Sequence, residues 1–496
     1  MTSKPGTAQL EAPGSSGRLL ATNTGWRLIA FGARTVSGVL ATVLLAHLEG
    51  PAGLGRFQFA LTLTLLLSFA VALGLPKLLV RELARRPQDI KRRIDSALVV
   101  CFGAGAVVTV VMFGFGVIFH SDTTVFVLAG LALTADSAMR IVMVPFWALE
   151  RMRYEALSVG IQEGLFVVLT AVALVAGLGA LGVMLAYLGS RVVGLITAWV
   201  VVASKIHIRV FPRTHPGELA PMMKRATPFA LDDALSLAYI RLDTVLLGIL
   251  VGAREVGLYQ AAVNLVLYLN ILPRMLNLSM YPQMSRAWPD RVDELRQLRD
   301  SSLMILGALA MPIAVGSFLL APRVFAVMYG SEFERGVLAY LLMAPLIPIR
   351  MLGNTLGTAI TAADRQTQRT IAVGVAAGVN VVLNLILIPR WLLFGAVASS
   401  IVTEVGLFTA YALMLRRVAG PSCLVSALVI PGAACVPLAL SVLVLSHAPL
   451  AVILVAAGAT YVLALYAIAA LMSPGRTLRP RSVMSAFVRW TPVPTT

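Results

Sequence analysis

The sequence predicts an all-α polytopic membrane protein: two parallel six-helix repeats followed by two further helices. Three observations predict it. Hydrophobic residues make up 58% of the 496-residue chain and charged residues only 13%, where a soluble domain carries about 25% charge. Apolar stretches of about 20 residues, the length that crosses a bilayer, recur throughout, and mean hydropathy is +0.87. A stretch near the start, LLAHLEGPAGLGRFQFA (44–60), returns in altered form within RLDTVLLGILVGAREVGLYQAA (241–262). The alternating pattern of a membrane β-barrel is absent.

Residues 1–25 are polar and rich in Gly, Ser and Pro, and read as a disordered cytoplasmic tail. Predicted helices 1 to 6 fall at 26–47, 57–75, 96–119, 124–146, 157–177 and 180–203, and make an N-lobe over 26–203. A basic cytoplasmic linker covers 204–226. Helices 7 to 12 fall at 227–251, 257–279, 302–322, 337–361, 371–388 and 395–415, and make a C-lobe over 227–415. Helices 13 and 14, at 424–446 and 449–472, occupy 416–472 and precede a basic cytoplasmic tail, 473–496.

The positive-inside rule tests this count of about fourteen. With the N-terminus inside, the inside segments hold 28 of the 40 Lys and Arg residues. The outside loops hold only Arg56, Arg254, Arg323, Arg335 and Arg390. One miscounted helix would invert every later loop, so both termini are expected in the cytoplasm. The net charge of +17 then follows from topology, and nucleic acid is not among the expected partners.

The duplication is read residue by residue. A shift of 202 carries Leu44, Leu45, Gly50, Gly55, Gln58 and Ala60 onto Leu246, Leu247, Gly252, Gly257, Gln260 and Ala262. A shift of 214 carries Ala148, Arg151, Gly160, Gly164 and Leu169 onto Ala362, Arg365, Gly374, Gly378 and Leu383, with Glu150 on Asp364. Helices 1–6 thus correspond to 7–12. Six is even, so the copies share one orientation, as parallel repeats do.

Three stretches carry a family resemblance: GPAGLGRFQFALTLTLLLSFAVALGLPKLLVREL, RLDTVLLGILVGAREVGLYQAA and NVVLNLILIPRWLLFGAVASSIVTE. The chain resembles the polysaccharide-exporting branch of the multidrug/oligosaccharidyl-lipid/polysaccharide exporter superfamily, the O-antigen and exopolysaccharide repeat-unit flippases. The resemblance covers helices 1 to 12 and rests on Gly, Pro and a few charges in order. It implies a V-shaped two-lobe transporter that works by alternating access. It implies a polyprenyl-diphosphate-linked oligosaccharide as cargo, moved from the inner to the outer leaflet of the cytoplasmic membrane. The lipid-linked oligosaccharide and membrane lipids are the implied partners, with glycosyltransferases and a polymerase of the same pathway beside them.

Charges inside the spans make a separate argument. They are Arg27, Arg34, Asp136, Arg140, Glu163, Arg191, Asp232, Asp233, Arg241, Asp243, Arg274, Arg350 and Glu404. Each costs about 2.5–3.5 kcal/mol if it faces lipid at mid-depth, so most must face a wet cavity or one another. Arg34, Arg140, Arg191, Arg241 and Arg350 are the candidate cavity cations for an anionic headgroup, because a guanidinium grips diphosphate with two parallel hydrogen bonds. Asp136, Glu163, Asp243 and Glu404 are candidates for ion coupling or for structural pairing. Asp136 and Arg140, four apart, can pair on one helix; Arg241 and Asp243, two apart, point to different faces.

The five His and three Cys residues show no metal-ligand spacing, and Cys101, Cys423 and Cys435 read as packing residues. Neither GxxxxGK[ST] nor G-x-S-x-G occurs, so neither a cofactor nor catalysis is expected. DRVDELRQLR (290–299) reads as an amphipathic helix on the inner surface. The competing functions are a peptidoglycan-precursor flippase, a cation-coupled multidrug exporter, and, in a different class, a membrane glycan polymerase or ligase. The resemblance sets the exporter apart by twelve helices and an acid-dominated cavity. A polymerase usually carries a large external loop, and the longest here spans only about 323–336.

Overall fold

The computed structural model describes residues 17–85, 90–118, 122–215 and 217–471. They form sixteen α-helices and a 3-10 turn at Ser331–Phe333, and among the described residues there is no strand. Residues 1–16 of the expected N-terminal tail and the whole of the expected C-terminal tail, 473–496, lie outside the described residues.

Helix α1 runs Gly17–Ala72, so residues 17–25, expected in the tail, are helical. Its 56 residues would reach about 84 Å if straight, nearly three times a bilayer core. The chain instead breaks at Gly50, at φ 63°, with Pro51 next. Gln58 Nε2 donates to Thr42 Oγ1 at 3.3 Å, although a straight helix would hold residues sixteen apart at about 24 Å. Helix α1 is therefore a hairpin, and it contains predicted helices 1 and 2.

Helix α2, Leu75–Arg85, was not expected from the sequence. Its Leu75, Leu78, Leu79 and Leu83 are buried, and it packs on α4 and α7. Its polar edge is clasped from both sides: Glu82 accepts from Arg93 and pairs with Arg225, and Lys77 pairs with Asp233 at 2.7 Å.

Helices α3 (Ile90–Ile118), α4 (Thr123–Ala148), α5 (Arg153–Val175) and α6 (Gly179–Lys205) occupy the places of predicted helices 3–6. Helix α7, Leu219–Leu250, begins inside the expected linker. Burial of Met222 and Ala226 explains the early start. What remains of the linker is pinned where Phe211 N–H donates to buried Asp95 at 2.8 Å.

Predicted helix 8 is broken into α8 (Ala253–Tyr268) and α9 (Ile271–Ala287). Helix α10, Val292–Tyr329, takes in 292–299 of the 290–299 stretch, which is the start of this long helix and not a separate surface helix. The reason lies in its inward face: Leu295 and the guanidinium-bearing Arg299 are both buried. Helix α11 (Glu334–Met343), with the 3-10 turn before it, and helix α12 (Leu346–Ala362) are together long and apolar enough for one crossing, with a bend of 48° between them. Helices α13 (Gln366–Trp391), α14 (Leu393–Ala419), α15 (Leu424–Val444) and α16 (Leu450–Leu471) complete the chain. Among the described residues eleven helices are long and apolar enough to cross a membrane, or twelve with the bent pair. Counting α1 as two crossings and admitting charged α7 gives the predicted fourteen.

The chain divides into two compact units at Gly257. In the first, α1 packs against α4, α5, α6 and α7. The sequence placed α7 in the second lobe, beginning after the linker; its packing places it in the first unit. In the second unit, α10, α12 and α14 pack together, and α15 and α16 dock on α10. That docking buries Leu320, Cys435, Leu438 and Tyr461, and Tyr461 donates to the Ala308 carbonyl at 2.7 Å.

Backbone conformation repeats with the duplication. Gly50 and Gly252 both have positive φ, at 63° and 118°. So do Glu150 and Asp364, at 54° and 56°. The duplicated hairpins also touch reciprocally. A Cβ on Gly55 would lie 1.7 Å from the Ala253 carbonyl oxygen, and one on Gly257 would lie 1.9 Å from that of Pro51. The 202 shift carries Pro51 to Ala253 and Gly55 to Gly257, so the contact is locally two-fold, as isologous contacts are.

Candidate functional site

Five of the sequence-selected residues converge inside the first unit. They come from four helices: Arg34 from α1, Asp136 and Arg140 from α4, Glu163 from α5 and Arg191 from α6. Glu163 is the centre. Its side chain is 3% exposed, and it accepts from Arg191 at 2.6 Å, from Ser37 at 2.5 Å and from Gln162 at 3.3 Å. Arg34 Nε stands 3.9 Å from the same carboxylate, an ion pair too long for a hydrogen bond.

Arg191 is held on three sides. Its guanidinium lies over the Tyr187 ring at 4.3 Å and the Phe166 ring at 5.9 Å. Cation–π contact and the carboxylate together fix it. Asp136 and Arg140 form the expected pair on one helix, at 2.9 Å.

The cluster sums to three guanidiniums against two carboxylates, a net +1. Its exposure is uneven. Arg191 and Glu163 are buried, while the side chains of Arg34 and Arg140 are 35% and 45% exposed. Arg34 also carries a buried Nε with no hydrogen-bond partner. A buried ion pair thus backs two open cations. Chemically, such an arrangement can accept an anion at its open edge without dissolving the pair behind it.

The other selected residues lie elsewhere. Asp243 on α7 is buried and turns back on its own helix, accepting from the Thr244 N–H at 2.6 Å and the Thr244 hydroxyl at 3.3 Å. Arg241, two residues away, is half-buried. Arg350 on α12 and Glu404 on α14 pair with each other at 3.3 Å in the second unit. Among the described residues no group of His, Cys, Asp and Glu could hold a metal ion.

Sequence reasoning missed Ser37, Gln162, Tyr187 and Phe166. A signal existed for two of them: Ser37 lies three residues after Arg34, and Tyr187 four before Arg191, so each shares a helix face with its arginine. It also missed Arg299, which is buried and satisfied at a helix end. Arg299 donates to the carbonyls of Ala419, Gly420 and Pro421 at 3.3, 3.2 and 2.6 Å, and to both oxygens of Asp300 at 2.7 and 3.2 Å. Arg299 thereby satisfies carbonyls at the end of α14, where a helix leaves such groups unpaired. Beside it, Cys423 donates its thiol to the Asp300 carbonyl at 3.5 Å. Burial, with the Asp300 charge adding to it, pushes that thiol up to about 12.

Comparison with known proteins agrees with this architecture. A probable flippase, AglR of Haloferax volcanii, is 29% identical over 178 residues, which are 35% of this chain and 36% of that protein. The match therefore spans about a third of that relative's length. Among solved structures, the lipid II flippase MurJ in an inward closed conformation superposes with a TM-score of 0.73 at 11% identity, covering 90% of this chain and 98% of that one. An inward-facing multidrug resistance MATE transporter of the MOP superfamily gives a TM-score of 0.60 at 15% identity, covering 79% and 98%. These likenesses establish a shared fold. The family model described as polysaccharide biosynthesis protein matches residues 20–288, more than half of the chain and all of the charged cluster, and the chain belongs to that family.

Proposed function

We propose that this protein is a flippase that moves a polyprenyl-diphosphate-linked oligosaccharide repeat unit from the inner to the outer leaflet of the cytoplasmic membrane by alternating access, with both termini in the cytoplasm. The observation that carries the reading is the net-positive cluster of Arg34, Asp136, Arg140, Glu163 and Arg191, with Arg34 and Arg140 open beside a buried pair. Charges are kept within a span when they do work there. Two open guanidiniums match the two phosphates of the cargo in charge and in forked hydrogen-bond geometry. Family membership and the probable-flippase relative support the same direction. Arg241 and Arg350 are proposed as further cavity cations. Asp136, Glu163, Asp243 and Glu404 are proposed for ion coupling or for pairing. The pathway's glycosyltransferases and polymerase are the proposed neighbours.

Proteoliposomes loaded with a fluorescent lipid-linked oligosaccharide test this directly. Arg34→Ala and Arg140→Ala are expected to cut flipping at least tenfold at unchanged protein level, and Arg34→Lys to fall between. Wild-type protein that moves lipid II at the same rate would replace the cargo with a peptidoglycan precursor. Wild-type protein that moves organic cations and neither lipid would refute the proposal.

A further inference from the structure

A second feature of the first unit has no part in the cluster above. Where α1 begins, α5 begins and α6 ends, the helices part and leave a groove of about 770 Å³, within the about 300–1,000 Å³ of small-molecule sites. Its mouth carries Arg153 at the start of α5 and Lys205 at the end of α6. Both are exposed, and neither is ion-paired among the described residues. Arg153 is instead held on its neighbour, with Nη2 donating to the Tyr154 hydroxyl at 2.7 Å and the guanidinium 4.6 Å from that ring. No Asp or Glu lines the groove.

Below the two cations the lining changes character. Tyr154 follows Arg153 in the first turn of α5, with Leu157 and Ile161 further along that helix, and on α1 Trp26 is followed one turn on by Ile29. Gly160 leaves the floor open, and Gly32 on α1 and Gly164 on α5 also face empty space. Cations, then amphipathic aromatics, then hydrocarbon is the order in which a phospholipid presents phosphate, ester region and acyl chain. Basic pockets at the ends of membrane helices suit anionic headgroups.

We propose that this groove holds an anionic phospholipid of the surrounding bilayer, its phosphate between Arg153 and Lys205 and one acyl chain along the α1–α5 seam past Gly160. The site is separate from the Arg34–Arg191 cluster and does not depend on which cargo the protein moves.

Native mass spectrometry of the purified full-length protein tests it with phosphatidylglycerol and phosphatidylcholine of identical chains. Two cations at about 1 kcal/mol each predict roughly a 30-fold preference for phosphatidylglycerol. Arg153→Gln with Lys205→Gln is expected to erase the preference. Arg153→Lys with Lys205→Arg is expected to keep it. Gly160→Leu, which fills the floor and leaves both cations, is expected to weaken both lipids. An unchanged melting transition in each variant certifies the fold. Equal binding of the two lipids by wild type, or a preference that survives the double Gln variant, overturns the proposal. So does glycerol 3-phosphate competing as well as whole lipid, which would make the site a headgroup site only. Polyprenyl phosphate outcompeting phosphatidylglycerol would give the groove to the cargo tail. Lipid binding that emerges only after residues 2–16 are deleted would give it to the N-terminal segment.

Discussion

Gly55→Ala offers the sharpest structural test, because its sign is opposite to the ordinary expectation. In an exposed helix interior, Gly→Ala stabilises by about 1 kcal/mol. At Gly55 the new Cβ would lie 1.7 Å from the Ala253 carbonyl oxygen, whereas real Cβ contacts stay beyond 3.0 Å. The two backbones must separate by about 1.3 Å, and the obstacle is a carbonyl that cannot rotate away as a side chain can. Overpacking costs about 1–3 kcal/mol, occasionally more. A backbone obstacle belongs at the top of that range, so the net effect is a loss of about 2 kcal/mol.

Gly257→Ala meets the Pro51 carbonyl at 1.9 Å and should cost about the same. Both variants push one pair of hairpins apart, so the double variant should cost clearly less than the sum. Gly38→Ala and Gly103→Ala, whose Cβ atoms meet open space, supply the controls. Thermal melts in detergent, with abundance in the membrane, read all five variants. Gly55→Ala melting with the controls, or strict additivity of Gly55→Ala and Gly257→Ala, would refute the reciprocal contact.

Three further outcomes are expected. Glu163→Gln should lower stability by about 3–5 kcal/mol, because it strands buried Arg191 and removes the only acid paired with Arg34 among the described residues; adding Arg191→Gln should recover part of the loss, and a melt of Glu163→Gln equal to wild type would contradict the pairing. Arg299→Met keeps the bulk but takes the guanidinium from Asp300 and the donor from the Gly420 and Pro421 carbonyls, while the Ala419 carbonyl keeps Arg296, so a loss of similar size is expected, and a neutral melt would show that these bonds do not matter. Cys423, with its thiol raised to about 12, should resist maleimide at pH 9, where a free thiol near 8.5 reacts fast. Sodium dodecyl sulfate should then expose all three cysteines, and stoichiometric native labelling at pH 9 would rule out the clasp around Cys423.

The membrane helices were legible because bilayer crossing imposes a length and a hydropathy that single sequences display directly. The break at Gly50 was legible through its copy at Gly252. Helix α2 was not, because eleven residues with four buried leucines look like the tail of the preceding apolar run. The start of α7 was hidden for the opposite reason: Lys224 and Arg225 read as linker although Met222 and Ala226 pack inside. In the cluster, the sequence showed which charges needed partners but not who partners whom. Asp136 and Arg140 were readable as a pair because four residues on one helix fix their distance. Arg34, Glu163 and Arg191 meet only through tertiary packing of α1, α5 and α6, which no spacing rule reaches.

The duplication lets the two charge sets be compared position by position. The 214 shift carries Asp136 to Arg350. After α5 the register slips by one: Gly179, at φ 53°, corresponds to Leu392, at φ 54°, each where the next helix begins. A shift of 213 then carries Arg191 to Glu404. The same two positions therefore hold acid and base in the first unit, and base and acid in the second. The surroundings differ as well. Arg140 and Glu163 correspond under the 214 shift to Asn354 and Ala377, so the second unit has no further charge at those places, and Arg350 and Glu404 pair directly at 3.3 Å. That pair is neutral. In the first unit each member has taken a different partner, Asp136 with Arg140 and Arg191 with Glu163, and Arg34 from α1 supplies the surplus charge. A self-neutral pair holds two helices in register; a pair of pairs with one cation left over attracts an anion. The asymmetry between the copies, more than the number of arginines in either, is the reason the headgroup is proposed for the first unit.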